Sequence, residues 1–210
     1  MEGFAVGVRE MANDLQEIQS LGEKRCYATN ICRFASGRDH RCSRRSVGIG
    51  QHILQGSPRW TRGFKKLGKQ AIGKSKGGWN TKLHVVSADD KVVVEIHLSG
   101  GECHDAPEGR VSITAIGEAY PGVPFLMDRA YEGDETRALA TKNGHEPIVP
   151  PKKNRKEPWE YDKEKYKRRN VVERLFRRLK EFRKVYTRYD KTDTMFLAFI
   201  QFAFMIIWLK

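Results

Sequence analysis

The sequence predicts an α/β fold: a sheet of mixed strand directions flanked by helices, preceded by a basic region with little regular structure. Three stretches carry this reading. Residues 81–87 and 92–98 are two β-rich runs joined by Ala88-Asp89-Asp90-Lys91, a polar tip suited to a hairpin. Residues 123–127, VPFLM, form a short continuous apolar run, as expected of a strand buried on both faces. Residues 166–180, YKRRNVVERLFRRLK, read as a helix. At about 100° per residue, Tyr166, Arg169, Glu173 and Lys180 share one narrow face, with Leu175, Leu179 and Phe182 opposite. Such a helix packs its apolar side on a sheet and presents one acid among cations and a phenol.

At 210 residues the chain is long enough for one domain with a sizeable core. Its net charge of +13 is unevenly spread. Residues 23–76 hold 14 Lys/Arg against two acids, and residues 152–191 hold 17 against seven. Two basic regions around an acidic centre suggest a polyanion partner, most simply nucleic acid, against the plainer reading of a solubilising surface. Four cysteines in a chain of this length do not make a disulfide scaffold. Cys26, Cys32 and Cys42 with His40 lack a CxxC knuckle, so free thiols are expected rather than zinc ligands. The start, MEGFAVGVRE, is not a signal peptide. The apolar stretch 195–209 falls short of the roughly 20 residues that span a bilayer, and Gln201 interrupts it. A buried core helix and a cytoplasmic protein with no membrane partner are expected.

In order, Phe4, Val8, Met11, Leu15, Ile18 and Leu21 recur at helical steps across residues 3–21. Residues 22–72 are rich in Arg, Lys, Ser and Gly, and no acid occurs from His40 to Ala88. This reads as a basic arm, without a strand pattern, that orders on a polyanion if at all. Trp60 and Phe64 among Arg59, Arg62, Lys65 and Lys66 would suit stacking and phosphate contact. The division expected is therefore 1–72, an N-terminal helix with a basic arm, and 73–210, the folded domain.

Within that domain the hairpin comes first, with Asp89 and Asp90 in turn roles. A helix at 107–119 follows, broken by Pro121-Gly122. The buried strand then ends on Asp128, where open α/β sheets place their chemistry. An unpaired charge there is costly, so Arg129 or a bound cation should neutralise it. A helix at 134–143, a strand at 145–149, a basic loop, the helix at 166–180 and a last helix complete the order.

With these residues in place, the chain resembles the DDE transposases of bacterial insertion sequences, in the IS-four/IS-five group. The resemblance covers roughly residues 70–210, through GKSKGGWNTKLH (73–84), HDAPEG (104–109), PFLMDRAYEGD (124–134), PIVPPKKNRK (147–156) and the Tyr-x2-Arg-x3-Glu-x6-Lys spacing of 166–180. It implies an RNase H-like core in which Asp, Asp and Glu bind two divalent ions, Mg²⁺ or Mn²⁺. The second Asp carries over to Asp128 and the Glu to Glu173, as catalytic and metal-binding residues. Tyr166, Arg169 and Lys180 match the family's polar partners and, with Arg177 and Arg129, are expected at DNA phosphate. The partners implied are double-stranded DNA, both element ends and target, and a second copy in a homodimer. The location implied is the bacterial cytoplasm, at the nucleoid.

The family's first Asp belongs on an opening strand before Gly73, and this chain has no acid there; the nearest upstream is Asp39. Residues 40–70 do not resemble the family. A frameshifted or decayed copy, in frame from near Lys69, or a split gene joined by programmed frameshifting, accounts for this. Asp89 and Asp90 are poor substitutes, since a turn tip points away from a strand-end site. The function expected is DNA transposition by metal-dependent strand cleavage and transfer, weakened or abolished by the missing Asp. The alternative is a non-catalytic DNA-binding remnant. A structure-specific nuclease on the same core conflicts with the Tyr-Arg-Glu-Lys spacing, and a general RNA-binding protein would need charge alone to matter.

Overall fold

The computed structural model describes residues 46–56 and 70–210. The expectations for the helix at 3–21, for Cys26, Cys32, Cys42 and His40, and for Trp60 and Phe64 lie outside the described residues. The strands are β1 (Val47–Gly56), β2 (Gly73–Ser75), β3 (Gly78–Ser87), β4 (Val93–Gly100), β5 (Pro124–Leu126), β6 (Glu146–Ile148) and β7 (Thr187–Arg188). The α-helices are α1 (Asp105–Ile116), α2 (Asp134–Lys142), α3 (Lys163–Lys167), α4 (Asn170–Leu179), α5 (Arg183–Tyr186) and α6 (Asp193–Leu209), with a 3₁₀ turn at Arg129–Tyr131.

β1 is the centre of the sheet. It runs antiparallel to β3, with Gly48 opposite Ser87 and Gln55 opposite Asn80, and parallel to β5, with Gly48 beside Leu126. β4 flanks β3 antiparallel and β6 flanks β5 parallel, so the main order is β4-β3-β1-β5-β6. An antiparallel meander joined to two parallel strands through helical crossovers is the RNase H-like arrangement that the resemblance implies, and it is a mixed sheet flanked by helices.

The position of β1 corrects the reading of 22–72 as an arm throughout. Its sequence, VGIGQHILQG, is weak as an isolated strand because of its glycines. Two adjacent ladders supply the backbone partners that propensity does not. The glycines also have a packing reason. A Cβ at Gly48 or Gly50 would lie 2.5 Å from a methyl of Val172 on α4, so the helix approaches the strand more closely than any side chain there would allow. Residues on this face, among them Leu54, Leu83 and Val85, form one core with Val172, Leu175, Leu179, Phe196 and Ile200. On the opposite face Val47, Ile49, Val86, Ile113, Phe125, Met127 and Tyr131 form a second core beneath α1 and α2.

The hairpin is present as β3–β4, and the Asp89 carboxylate accepts from the N–H groups of Lys91 and Val92 at 2.7 Å, a turn role as expected. Asp90 instead pairs with Arg178 on α4 at 2.8 Å. The helix expected at 166–180 is two helices, α3 and α4. Between them Arg169 N–H bonds back to Tyr166 and Val172 N–H to Arg169, a three-residue spacing that turns the chain faster than an α-helix. α6 is only half a core helix. Phe196, Ile200, Ala203, Phe204 and Ile207 are buried, while Met195, Phe202, Met205, Trp208 and Leu209 are exposed. Among the described residues, no helix is long and apolar enough to cross a membrane.

The start of α6 is held by a fully buried arginine, Arg188. Its guanidinium donates to Asp193 at 2.6 Å, to Thr81 Oγ1 at 2.8 Å and to the Ala71 carbonyl at 3.2 Å. Asp193 also accepts from Ala71 N–H at 2.9 Å. One cation thus joins β3, the segment before β2 and the last helix.

Candidate active site

Asp128 follows β5 and caps the 3₁₀ turn, its Oδ1 accepting from Arg129 N–H at 2.7 Å. Its other oxygen lies 3.7 Å from Nη1 of Arg169. Nη2 of the same guanidinium donates to Glu173 Oε1 at 2.7 Å. One arginine, mostly shielded from solvent, therefore lies between two carboxylates that are themselves 40% and 56% exposed. The turn between α3 and α4 creates this bridge by placing Arg169 at the head of α4, one helical turn before Glu173. The cation beside Asp128 is thus Arg169; Arg129 contributes its backbone, and its residue is exposed.

Tyr166, on α3, has its ring centroid 6.0 Å from the Arg169 guanidinium carbon and stacks edge-on against Tyr161. Partial burial raises its pKa, with Asp128 adding to the effect and Arg169 opposing it, so the phenol keeps its proton. Asp128, Tyr166, Arg169 and Glu173 are brought together. Lys180 is not part of this group: it caps the far end of α4, where its charge is felt by His52 of β1. Seven residues of helix amount to about 10 Å of rise, which is why a shared face does not make a shared site. Arg177 is exposed on α4 between them.

The neighbouring strand provides no acid. Val47–Gly56 contains neither Asp nor Glu. Continuing the parallel register from Gly48 beside Leu126 sets Gly50 level with Asp128. Gly50 has no side chain to offer, and its Cβ position is taken by Val172. His52, further along this face, lies against Phe176 with ring centroids 5.4 Å apart.

A third carboxylate near the strand ends was not singled out from the sequence. Asp105, the first residue of α1, accepts from Lys82 Nζ at 2.8 Å and from Gln51 Nε2 on β1. Tyr131 is fully buried, and its hydroxyl has no hydrogen-bond partner among the described residues. Its pKa is pushed well up by burial first, then by Asp105 and Asp128, so both acids act on one phenol. The signal available was the HDAPEG motif at a helix start, an acid in the first turn after a strand. Lys82 holds Asp105 on the α1 side of the sheet, and it is already neutralised there.

Residues 125–210 match the family model described as Transposase DDE domain. A protein of Brucella ovis named as a transposase for insertion sequence element IS6501 is 29% identical over 132 residues, covering 62% of this chain and 98% of that protein. Among solved structures, the Mos1 mariner paired end complex with Mn aligns with a TM-score of 0.45 at 14% identity, over 96% of this chain and 65% of that one. A piggyBac transposase synaptic complex with hairpin DNA aligns with a TM-score of 0.37 at 8% identity, over 53% of this chain and 24% of that one. Residues 125–210 thus match the DDE domain of transposases, and the chain is similar to a transposase of a bacterial insertion sequence.

Proposed function

We propose that this chain engages double-stranded DNA at insertion-sequence ends through a transposase domain whose carboxylate set is incomplete, so that it binds DNA while cutting it weakly or not at all. The observation that carries this reading is the Arg169 bridge between Asp128 and Glu173, set beside a β1 that offers Gly50 in place of an acid. DNA transposition is the work of the family, and its chemistry is metal-dependent. Two half-exposed carboxylates on one cation fit one hard divalent ion such as Mg²⁺ or Mn²⁺, which keeps several waters and takes few protein ligands. A pair of such ions would supply activation of the attacking oxygen and stabilisation of the leaving one. The pair needs a bridging set of acids, and among the described residues β1 supplies none beside Asp128.

The chain's own residues account for binding. Arg169 is poised to exchange its carboxylates for a phosphate, a planar bidentate contact that arginine suits. Tyr166, holding its proton, donates to a phosphate oxygen. Arg129, Arg177 and Lys180 are exposed and extend the positive track to either side. The exposed apolar side of α6, with Phe202, Met205 and Trp208, suits a second protein surface, in keeping with a dimer that bridges two ends.

The deciding experiment measures binding and nicking together, on DNA carrying the element's end sequence, with Mg²⁺ and with Mn²⁺. Salt-sensitive binding with no strand cleavage is expected. Robust cleavage by the isolated chain, lost in Asp128→Ala, would overturn the reading. Glu173→Gln separates the two roles: it should weaken divalent-ion binding and leave DNA affinity within about twofold, since a phosphate contact is an affair of cations. Equal loss of both would mean that Glu173 acts chiefly through Arg169.

A further inference from the structure

On the α1 side of the sheet, elements that carry neither Asp128 nor Glu173 bring together two histidines and two glutamates. His84 on β3 is fully buried; its Nε2 lies 2.8 Å from Ser99 Oγ, and its Nδ1 is buried with no hydrogen-bond partner among the described residues. His97 on β4 stacks on it, ring centroids 4.5 Å apart and nearly parallel at 9°. His97 Nε2 is 3.1 Å from Glu108 of α1, and its Nδ1 is 3.3 Å from Glu95 and from Ser112 Oγ. Glu95 is buried as well, and its second oxygen, Oε2, has no hydrogen-bond partner among the described residues. One ligand atom from each of His84, His97 and Glu108 fits within 4.8 Å of the others.

We propose that His84, His97 and Glu108 form a binding site for a divalent transition metal of the zinc class, separate from the Asp128–Glu173 pair. Two imidazoles and a carboxylate are the donor set that zinc takes, whereas Mg²⁺ prefers oxygen and water. Ligands on a tetrahedral zinc lie about 3.4 Å apart, given metal–ligand distances near 2.1 Å. The three ligand atoms lie within 4.8 Å of one another, and the nearly parallel imidazole rings must rotate to share an ion, with Glu108 the most accessible of the three. A buried imidazole nitrogen without a partner is costly to maintain, and a cation bound to it would remove that cost. His97⁺ with its two carboxylates is the competing way to balance this charge, and it leaves His84 Nδ1 unsatisfied. An ion here would clamp α1 to the β3–β4 hairpin. α1 carries Asp105, and its Gly109 lies against the Tyr131 ring, so the clamp would steady the ground beside the strand ends.

The test uses the full chain, stripped of metal, with Cys26, Cys32, Cys42 and Cys103 changed to serine so that thiols do not bind the probe. Calorimetric titration with Zn²⁺ should show one saturable equivalent, with a rise in Tm on loading. His97→Gln and Glu108→Gln, both at partly exposed side chains, should each weaken Zn²⁺ binding at least tenfold. Absence of saturable binding, or undiminished affinity in both variants, overturns the proposal. Should a variant unfold, the Co²⁺ spectrum of the parent protein decides. Tetrahedral nitrogen–oxygen d–d bands support the site, and a spectrum of free, octahedral Co²⁺ overturns it.

Discussion

Replacing Gly50 by alanine tests whether the closeness of β1 and α4 is the constraint that shapes this site. The added Cβ would lie 2.5 Å from Val172 Cγ1 and 3.0 Å from Phe176 Cε2. Val172 is β-branched, helical and only 1% exposed, so it has no second rotamer to retreat into. Overpacking of this kind costs about 1–3 kcal/mol, relieved by pushing α4 and its Glu173 away from the sheet. Val172→Ala alone removes two buried methyl groups and should cost about 2 kcal/mol. In the double variant the new methyl at 50 occupies the space vacated at 172. Its cost should fall short of the sum by about 1–2 kcal/mol, within the range seen for residues in contact. Equilibrium urea unfolding of the four proteins measures the coupling directly. A Gly50→Ala chain of unchanged stability, or additive costs, would refute the packing argument. It would also reopen Gly50 as a place where an acid could be installed opposite Asp128.

Other consequences follow from groups the folded chain holds away from water. Arg188→Met leaves Asp193 and Thr81 without their buried donor and should cost about 3–5 kcal/mol, a Tm drop of about 6–20 °C in a thermal melt followed by circular dichroism. His52 has its pKa lowered from 6.5 to about 4, by burial first and by Lys180 second. The unfolded chain thus takes up a proton that the folded chain refuses. His52 should lower stability progressively as pH falls from about 6.5 to about 4, with no further loss below that. His52→Phe should therefore lose less stability than the parent between pH 7 and pH 4 in urea titrations, and parallel pH curves for the two would show the histidine to be free in the fold. His97 works in the opposite direction. Burial depresses its pKa, but Glu95 and Glu108 outweigh that and raise it, so its contribution is present at low pH and fades as pH rises through the raised value.

Much of the fold was legible in local pattern. The hairpin, the strand ending on Asp128, the helix at 134–142 and the amphipathic α4 each announce themselves through turn residues, a compact apolar run or helical spacing. These signals need only neighbours within a few residues along the chain. The resemblance through Tyr166, Arg169 and Glu173 rested on the same local spacing, and the fold gathers these residues around one guanidinium.

What could not be read was whatever depends on distant partners. β1 has a poor strand sequence, and it becomes the central strand because β3 and β5 supply its hydrogen bonds and Val172 requires glycine beneath it. Lys180 shares a helical face with Glu173 and still falls outside the site, since angular position says nothing of axial distance. Asp105 meets Gln51 from 54 positions away, and the His84–His97–Glu108 cluster forms only once α1 packs on the β3–β4 hairpin. Periodicity and spacing determined most of the elements after residue 78, and the motifs on them carry the resemblance. Only the packed sheet decided which charges meet, because a charge pair is a matter of a few ångströms in space and not of separation along the chain.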